Sequence, residues 1–402
     1  MPYDLSKLLV IGISSRALFD LEDEDRIFRT AGLQAFIDHQ RGHEDAVLRP
    51  GSAFPLIGGL LRLNAINNDD RKVEVILLSR NHPDVCLRVF NSIDKHQLDI
   101  TRAALTGGAP LGPYLSAFKI GLFLSQSVDD VQSAANQGVA AGLIYLPPPE
   151  LQTAPGQIRI AFDGDCVIFS DEAQRIFDQK GLEAFYQYEK DNAKKELPAG
   201  PFAKLLRTLS QIQGPDPEKS PVRVALVTDR NGRAHERVIR TLRAWNVRID
   251  EAFFLGGIGK TEIIKAFGAH MFFDDKKEYC DLAAQKVPTS RVLLPITGQP
   301  EIEVSVRLEA AESIADESRF LLVCRNYLKR DFTRHEVELK EWYRLNIEDW
   351  PEDGRSNFFN EFEESVEATP RGSERRAASQ TDTPMAKLLT FLGGLISKHR
   401  PM

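Results

Sequence analysis

The feature that most constrains the fold of this chain is an internal repeat, which relates its first 150 residues to those that follow. Short sequence matches recur 149 positions apart: Arg26-Ile27-Phe28 as Arg175-Ile176-Phe177, and Gly107-Gly108 as Gly256-Gly257. The same displacement relates Gly32-Leu33 to Gly181-Leu182, Ala35-Phe36 to Ala184-Phe185, Ser79 to Thr228, Phe118 to Phe267 and Phe123 to Phe272. A fixed displacement over such a span is typical of a duplicated structural unit. The sequence therefore predicts two related halves.

Each half carries short apolar runs separated by segments of helix length, which is typical of a parallel sheet covered by helices on both faces. The predicted strands are Leu8–Ile13, Val73–Leu78, Ala103–Leu105 and Gly121–Leu124 in the first half, and Ile158–Phe162, Val222–Val227, Ala252–Leu255 and His270–Phe273 in the second. The predicted class is α/β, arranged as two doubly wound domains or as two fused sheets.

The repeat also sets the predicted domain boundaries. The first half covers residues 1–150, and the second covers 151–296 with a small helical cap at about 170–220. Residues 297–365 are predicted to form a helical C-terminal extension, and 366–402 a polar linker followed by an amphipathic helix at 386–398. We expect this helix to dock on the protein's own surface or on a partner in a homo-oligomer, with binding to a membrane surface as the alternative.

Composition excludes several classes of protein. The chain has 402 residues, of which 42% are hydrophobic and 27% charged, so more than one core-forming unit is expected. A net charge of −7 without a long basic run argues against a nucleic-acid groove, and no apolar run reaches membrane-spanning length. The four cysteines are scattered, which indicates neither a zinc cluster nor a disulfide framework. These features predict a cytoplasmic protein.

Two carboxylates follow the strand Ile158–Phe162, at the strand end where open α/β sheets build their sites. Asp163 is a candidate nucleophile and metal ligand, because a carboxylate can attack phosphorus and form an aspartyl-phosphate. Asp165 is a candidate acid/base, which would protonate the leaving oxygen and then activate water. The sequence thus indicates transfer of a phosphoryl group from a phosphate ester.

Three later strand ends supply the remaining parts that this chemistry requires. Thr228 can hold a phosphoryl oxygen, and Lys260, after Gly256-Gly257-Ile258-Gly259, offers a positive charge at the start of a helix. Asp274 and Asp275 are hard oxygen ligands suited to Mg²⁺. The predicted metal ligands are therefore Asp163, Asp165, Asp274 and Asp275, and the predicted phosphate ligands are Thr228 and Lys260.

The order Asp-x-Asp-x-Val, Thr, Lys, Asp-Asp resembles the haloacid dehalogenase superfamily, which implies that each half is a unit of that Rossmann-like fold. Over residues 8 to about 296 the resemblance narrows to the cytosolic type I 5′-nucleotidases, on the segments Gly12–Asp20, Phe162–Glu172 and Phe272–Asp275. It implies Mg²⁺-dependent hydrolysis of nucleoside 5′-monophosphates, with the residues above in the roles given. The alternatives are a phosphatase for another small phosphomonoester and a nucleotide-sensing protein.

The first half lacks most of these groups. At the positions 149 residues earlier, Asp163 becomes Ser14, Asp165 becomes Arg16, Lys260 becomes Leu111, and Asp274-Asp275 becomes Ser125-Gln126. We therefore predict that the first half is catalytically inactive. Ser14, Arg16 and Ser79 could hold a nucleotide phosphate as a regulatory ligand, while the alternative is that this half only packs against the second and shapes the cleft.

Aromatic residues in the predicted cap are candidates for contact with a nucleobase. Phe185, Tyr186 and Tyr188 could stack on a base, although helical aromatic clusters are more often part of a core. Arg230 and His235 follow Thr228 and are interpreted mainly as solvated helix positions, with contact to substrate as the alternative.

Overall fold

The computed structural model describes residues 4–66, 71–149, 156–214 and 216–296, with five single residues further on. The chain divides into two compact units, residues 1–299 and 300–402. In the second unit Cys324, Leu339, Phe362, Leu388 and Leu392 are described, and each is helical and buried. Apart from these five, the predicted extension at 297–365 and the predicted linker and terminal helix at 366–402 lie outside the described residues.

Twelve strands and eleven α-helices form the described part of the first unit. The strands are β1 (Leu9–Ile13), β2 (Phe19–Asp20), β3 (Arg49–Pro50), β4 (Val73–Ser79), β5 (Arg102–Leu105), β6 (Leu122–Ser125), β7 (Ala140–Ile144), β8 (Ile158–Phe162), β9 (Val222–Thr228), β10 (Glu251–Phe254), β11 (Met271–Asp274) and β12 (Thr289–Val292). The helices are α1 (Ser15–Leu18), α2 (Glu22–Gly42), α3 (Phe54–Ile66), α4 (Leu87–Lys95), α5 (Gly112–Ala117), α6 (Val128–Asn136), α7 (Glu172–Asp191), α8 (Ala203–Gln213), α9 (His235–Ala244), α10 (Thr261–Phe267) and α11 (Lys277–Ala283). None of the helices in these ranges combines the length and the apolar character that a membrane span requires.

Ten of the strands form one sheet, in the order β10-β9-β8-β11-β12-β7-β6-β1-β4-β5. All neighbours in it are parallel except β12 and β7, which pair antiparallel with Ser290 opposite Ile144. The α/β class with a mostly parallel sheet is confirmed. The sequence allowed either two doubly wound domains or two fused sheets, and the structure has one continuous sheet. The predicted strands agree with the observed ones to within one residue at each end.

The strands β7 and β12, which join the two parts of the sheet, were not predicted. β7 begins Ala140-Ala141-Gly142, and alanine and glycine are depleted in strands. Gly142 leaves room for β12, because a Cβ at this position would overlap the Ser290 hydroxyl of β12 unless that side chain moved. Gly142 therefore makes β7 harder to recognise as a strand in the sequence, but it also allows β7 and β12 to approach each other.

The strand order on one side of the β7–β12 pair reads the same as the order on the other. Outward from the junction it is β7-β6-β1-β4-β5 on one side and β12-β11-β8-β9-β10 on the other, each strand matching its counterpart in chain order. Unusual backbone conformations also recur 149 residues apart: φ is 82° at Gly32 and 78° at Gly181, and 57° at Gly107 and 58° at Gly256.

Helices pack on the sheet, and their apolar side chains form a core together with those of the strands. The β4 strand is buried at every position, and the core formed by β8 and β9 includes Leu205, Leu206 and Leu209 of α8. α8 therefore packs against the sheet, while α7, earlier in the same insertion, contacts the segments that follow β8 and β9. Each buried leucine of this kind stabilises the fold by about 1.5–3 kcal/mol relative to an exposed one.

A break inside α7, and a matching break in α2, depends on glycine. Gly181 has φ 78° and ψ −178°, a region that only glycine readily occupies, and no other atom would meet an added Cβ there. We expect Gly181→Ala and Gly32→Ala each to lower the free energy of unfolding by about 1–3 kcal/mol, measured by urea denaturation. Gly42→Ala, at the end of α2 and in equally open space, is the control and should cause no loss. An unchanged urea midpoint in Gly181→Ala would show that the break is not strained.

Candidate active site

The predicted site residues of the second half converge at one edge of the sheet. β9, β8 and β11 are parallel neighbours, so their carboxyl ends lie side by side. Asp163 directly follows β8, Thr228 ends β9, and Asp274 ends β11. The Asp163 backbone N–H donates to the Phe273 carbonyl at 2.8 Å, which fixes the start of the β8 loop against β11. The structure therefore places these three residues together, as the topology requires.

Lys260 lies at the centre of this edge, just before α10. Its Nζ donates to Asp163 Oδ1 and to Asp274 Oδ2, each at 2.7 Å, and all three side chains are buried. Burial alone would lower the pKa of Lys260, but attraction to Asp163 and Asp274 outweighs it and raises the pKa. The lysine is therefore held as a cation between two carboxylates, and it links the strand end of β8 to that of β11.

Three carboxylates of this cluster form a candidate metal centre. Asp163, Asp274 and Asp275 each present an oxygen within 4.8 Å of the others, and the buried Asp275 Oδ1 has no hydrogen-bond partner. Burial raises the pKa of Asp163 to about 7 and that of Asp275 to about 6. Burial likewise raises the pKa of Asp274, against the effect of Lys260. Lys260 balances only part of the charge of three ionised carboxylates, and an all-oxygen donor set suits a hard divalent ion.

Asp165 occupies a different place from the other three predicted metal ligands. Arg230 Nε donates to its Oδ2 at 2.9 Å and Arg230 Nη2 donates to its Oδ1 at 2.8 Å. Both carboxylate oxygens are thus held by one guanidinium group, and Asp165 is not a member of the three-carboxylate cluster. The structure brings the carboxylates of Asp163, Asp274 and Asp275 together and gives the Asp165 side chain another partner.

Thr228 has a short-range structural contact as well as its place at the site. Its hydroxyl accepts a hydrogen bond from the backbone N–H of Arg230 at 3.2 Å, and the residue is buried. A Cβ on Gly164 would lie 3.1 Å from the same hydroxyl, so the loop after β8 comes close to the end of β9. The predicted phosphate role of Thr228 stays a prediction, and the structure places its hydroxyl beside the loop that carries Asp163 and Asp165.

A pocket of about 360 Å³ opens beside these groups. α7 supplies the apolar part of its lining through Phe177, Leu182, Phe185 and Tyr186. The polar part of the lining includes Asp165, Asp229, Arg230, Asn231, Lys276 and Tyr279. Phe185 and Tyr186, two of the three predicted cap aromatics, therefore face the pocket. Tyr188 does not line it, and its hydroxyl donates to Glu172 at 2.7 Å.

The corresponding edge of the first half holds Ser14, Arg16 and Ser79. Arg16 Nη1 donates to Asp25 Oδ1 at 2.7 Å and Arg16 Nη2 donates to Glu22 Oε1 at 3.0 Å, both on α2. The Ser14 hydroxyl accepts from Ala17 N at 3.3 Å and the Ser79 hydroxyl accepts from Asn81 N at 3.1 Å. The charge of Arg16 is thus already balanced by two carboxylates. The regulatory role of these three residues stays a prediction.

Sequence reasoning missed several residues of the site. Arg230, interpreted mainly as a solvated position, is only 4% exposed, whereas His235 is exposed and lies outside the pocket lining. Asp229, Lys276 and Tyr279 line the pocket, and Lys276 Nζ lies 3.4 Å from Asp229 Oδ2. Asp229 and Arg230 directly follow Thr228, so their position after a strand end was a usable signal. Glu189 of α7 pairs with Arg230, and nothing in the sequence distinguished it beyond its position in the predicted cap.

Comparisons with known proteins agree with this geometry. A family model described as 5′-nucleotidase matches residues 1–299. Human cytosolic 5′-nucleotidase 1B is 35% identical to this chain over 279 residues, which are 66% of this chain and 46% of that protein. The chain thus spans about half the length of that curated relative. No solved structure matches the chain significantly. By the extent of these matches, the chain belongs to the 5′-nucleotidase family.

Proposed function

We propose that this protein is a phosphoric monoester hydrolase that converts nucleoside 5′-monophosphates to nucleoside and phosphate. The observation that carries the proposal is the cluster of Asp163, Asp274, Asp275 and Lys260. The cluster adjoins a pocket lined by aromatic side chains, since Lys260 Nζ lies 4.5 Å from the ring centre of the lining residue Tyr279. The cluster suits the phosphate, and the pocket is large and apolar enough for a nucleoside. Family membership and the name of the human relative support the same reaction.

Asp163, Asp274 and Asp275 would hold Mg²⁺, and Asp165, which lies outside this cluster, would be left for proton transfer. The ion, when bound, neutralises negative charge on the phosphate oxygens. This assignment uses three of the four carboxylates that the sequence indicated. The buried, unpartnered Asp275 Oδ1 supports it, since such an atom is costly without a cation or a donor.

The proposed reaction has two steps on this chain's own side chains. A carboxylate oxygen of Asp163 attacks phosphorus, the bond from phosphorus to the ester oxygen breaks, and Asp165 gives that oxygen its proton. Water then attacks the phosphorus of the aspartyl-phosphate, Asp165 takes a proton from it, and inorganic phosphate leaves with the Asp163 carboxylate restored. Thr228 and Lys260 would steady the phosphoryl oxygens, with Lys260 also fixing Asp163.

For the first half we propose a packing role in a duplicated structure, with no catalysis of its own. The matching strand order and the recurring glycine conformations support the duplication. Ser14 and Arg16 stand where Asp163 and Asp165 stand in the second half, so two of the carboxylates are replaced. Because Arg16 is paired with Glu22 and Asp25, its contacts favour packing over regulatory binding of a phosphate.

A cytoplasmic location is proposed on two observations. The human relative is named as a cytosolic enzyme, and the four cysteines of this chain are all free thiols. Free buried cysteines are usual where the compartment is reducing. Whether the chain forms a homo-oligomer stays a prediction.

A substrate panel tests the proposed activity. With Mg²⁺ present, adenosine, inosine and pyrimidine 5′-monophosphates should be hydrolysed with kcat/KM about 5- to 150-fold above that for small sugar phosphates, because stacking on an aromatic side chain contributes about 1–3 kcal/mol per base. Phosphate release is the measurement, and addition of EDTA should abolish it. Equal activity on sugar phosphates would favour a general small-molecule phosphatase. Nucleotide binding without phosphate release would favour a nucleotide-sensing protein.

A further inference from the structure

A buried arginine connects the predicted acid/base to the helix that covers the pocket. Arg230 uses Nε and Nη2 to hold both oxygens of Asp165, at 2.9 and 2.8 Å. Its remaining terminal nitrogen, Nη1, pairs with Glu189 of α7. Because Arg230 and Glu189 are only 4% and 2% exposed, water competes little for the contact between them, and that contact is strengthened by its surroundings.

α7 holds this guanidinium group with two residues that lie one helical turn apart. Phe185 and Glu189 share a face of the helix, and the Arg230 guanidinium carbon lies 5.3 Å from the centre of the Phe185 ring. The other oxygen of Glu189 accepts from Arg237 Nη1 at 3.0 Å. The orientation of Arg230 is therefore set by α7 on one side and by Asp165 on the other.

In the first half, the contact that anchors the covering helix has a counterpart, whereas the contact with Asp165 has none. Arg88 is the counterpart of Arg237, and its Nη1 donates to Gln40, the counterpart of Glu189, at 3.2 Å. The counterpart of Arg230, however, is Asn81, and the counterpart of Asp165 is Arg16. An arginine that anchors the covering helix thus occurs in both halves, whereas the link from the helix to a carboxylate belongs to the second half.

We propose that Arg230 and Glu189 are positioning residues, which orient the Asp165 carboxyl group toward the leaving oxygen of the substrate. This inference rests on the proposed function. A bidentate guanidinium contact fixes the plane of a carboxylate as well as its position, and a displacement of about 1 Å is enough to cost about 10²-fold in rate. Since Glu189 stands on the helix that lines the pocket, placement of α7 over a bound substrate is coupled to the orientation of Asp165.

The test compares two substrates that differ in their need for a general acid. A nucleoside leaves as an alcohol and requires a proton, whereas the nitrophenolate of p-nitrophenyl phosphate leaves without one. In Glu189→Gln and Arg230→Lys, kcat/KM for a nucleoside monophosphate should fall by about 10²-fold, the lower range for general acid catalysis. The value for p-nitrophenyl phosphate should change less than about threefold, because kcat/KM reports only the steps up to departure of the leaving group.

The control in the first half is Arg88→Lys, which alters the counterpart of Arg237 and should leave both values unchanged. Melting temperatures of all variants, measured with Mg²⁺, separate misfolding from a positioning effect, and Arg230→Lys keeps the buried charge if Glu189→Gln does not fold. Equal losses for the two substrates, or no loss for either, in folded protein would overturn the inference while leaving the proposed function intact. A wild-type protein that hydrolyses neither substrate would overturn both.

Discussion

Asp163→Asn is expected to lower the turnover of nucleoside monophosphates by about 10⁴-fold or more, because an amide cannot form the acyl phosphate through which the reaction is proposed to run. Phosphate esters hydrolyse so slowly in water that accelerations reach about 10²¹-fold, so little activity is left once the nucleophile is lost. The measurement is release of inorganic phosphate at saturating substrate and Mg²⁺. Denaturing gels of protein incubated with ³²P-labelled substrate should show the acyl phosphate in the wild type and none in the variant.

The repeat supplies a matched control for this variant. Ser14 lies 149 positions before Asp163 and follows β1 as Asp163 follows β8. Ser14→Asn introduces the same side chain at the equivalent edge of the first half, and turnover should stay within about twofold of the wild type if that half is inactive. Turnover that persists in Asp163→Asn would remove Asp163 as nucleophile. A large loss in Ser14→Asn would remove the assignment of the first half to packing.

Much of this architecture could be predicted because it depends on local patterns. The main strands are short apolar runs that end at polar residues, so their limits and the place of Asp163, Thr228 and Asp274 at strand ends follow from the sequence. Because neighbouring parallel strands end at the same edge of a sheet, these residues are expected to lie close together. The repeat added that the halves share one order of elements, and the strand order is the same on both sides of the junction.

The rest depends on contacts between distant residues, for which the sequence carries no pattern. β7, which begins with alanine and glycine, lies between β6 and β12, and β12 lies between β11 and β7, so each strand is held by its neighbours in the sheet. Arg230 reaches Asp165 and Glu189 across 65 and 41 positions, and its place after the end of β9 does not indicate either partner. The position of Lys260 between Asp163 and Asp274 likewise follows only from the order of β8 and β11 in the sheet.

That position gives Lys260 a large expected effect on stability. In Lys260→Met the carboxylates of Asp163 and Asp274 stay buried without the cation that lies 2.7 Å from each. Breaking a buried ion pair by removing one partner costs about 3–5 kcal/mol, and we expect metal-free Lys260→Met to lose that free energy of unfolding at pH 8. Lys277→Met, which breaks an exposed pair with Asp281, is the control and should lose no more than about 1 kcal/mol.

The free energy of unfolding lost in Lys260→Met should be larger at pH 8 than at pH 5. The reason is that Asp163 and Asp275 have pKa values in the folded protein above their ordinary ones. Burial raises the pKa of Asp163 to about 7 and that of Asp275 to about 6, so their contribution to stability is present below about pH 4 and is lost as pH rises through those values. Metal-free wild type should therefore be less stable at pH 8 than at pH 5, and Lys260→Met should widen that difference, since the lysine opposes the shift at Asp163. Mg²⁺ should restore stability chiefly at pH 8, where the carboxylates are ionised. The measurement is urea denaturation of both proteins at the two pH values, with EDTA or Mg²⁺. A loss of stability in Lys260→Met that is equal at pH 5 and pH 8 would show that the lysine does not balance buried carboxylates.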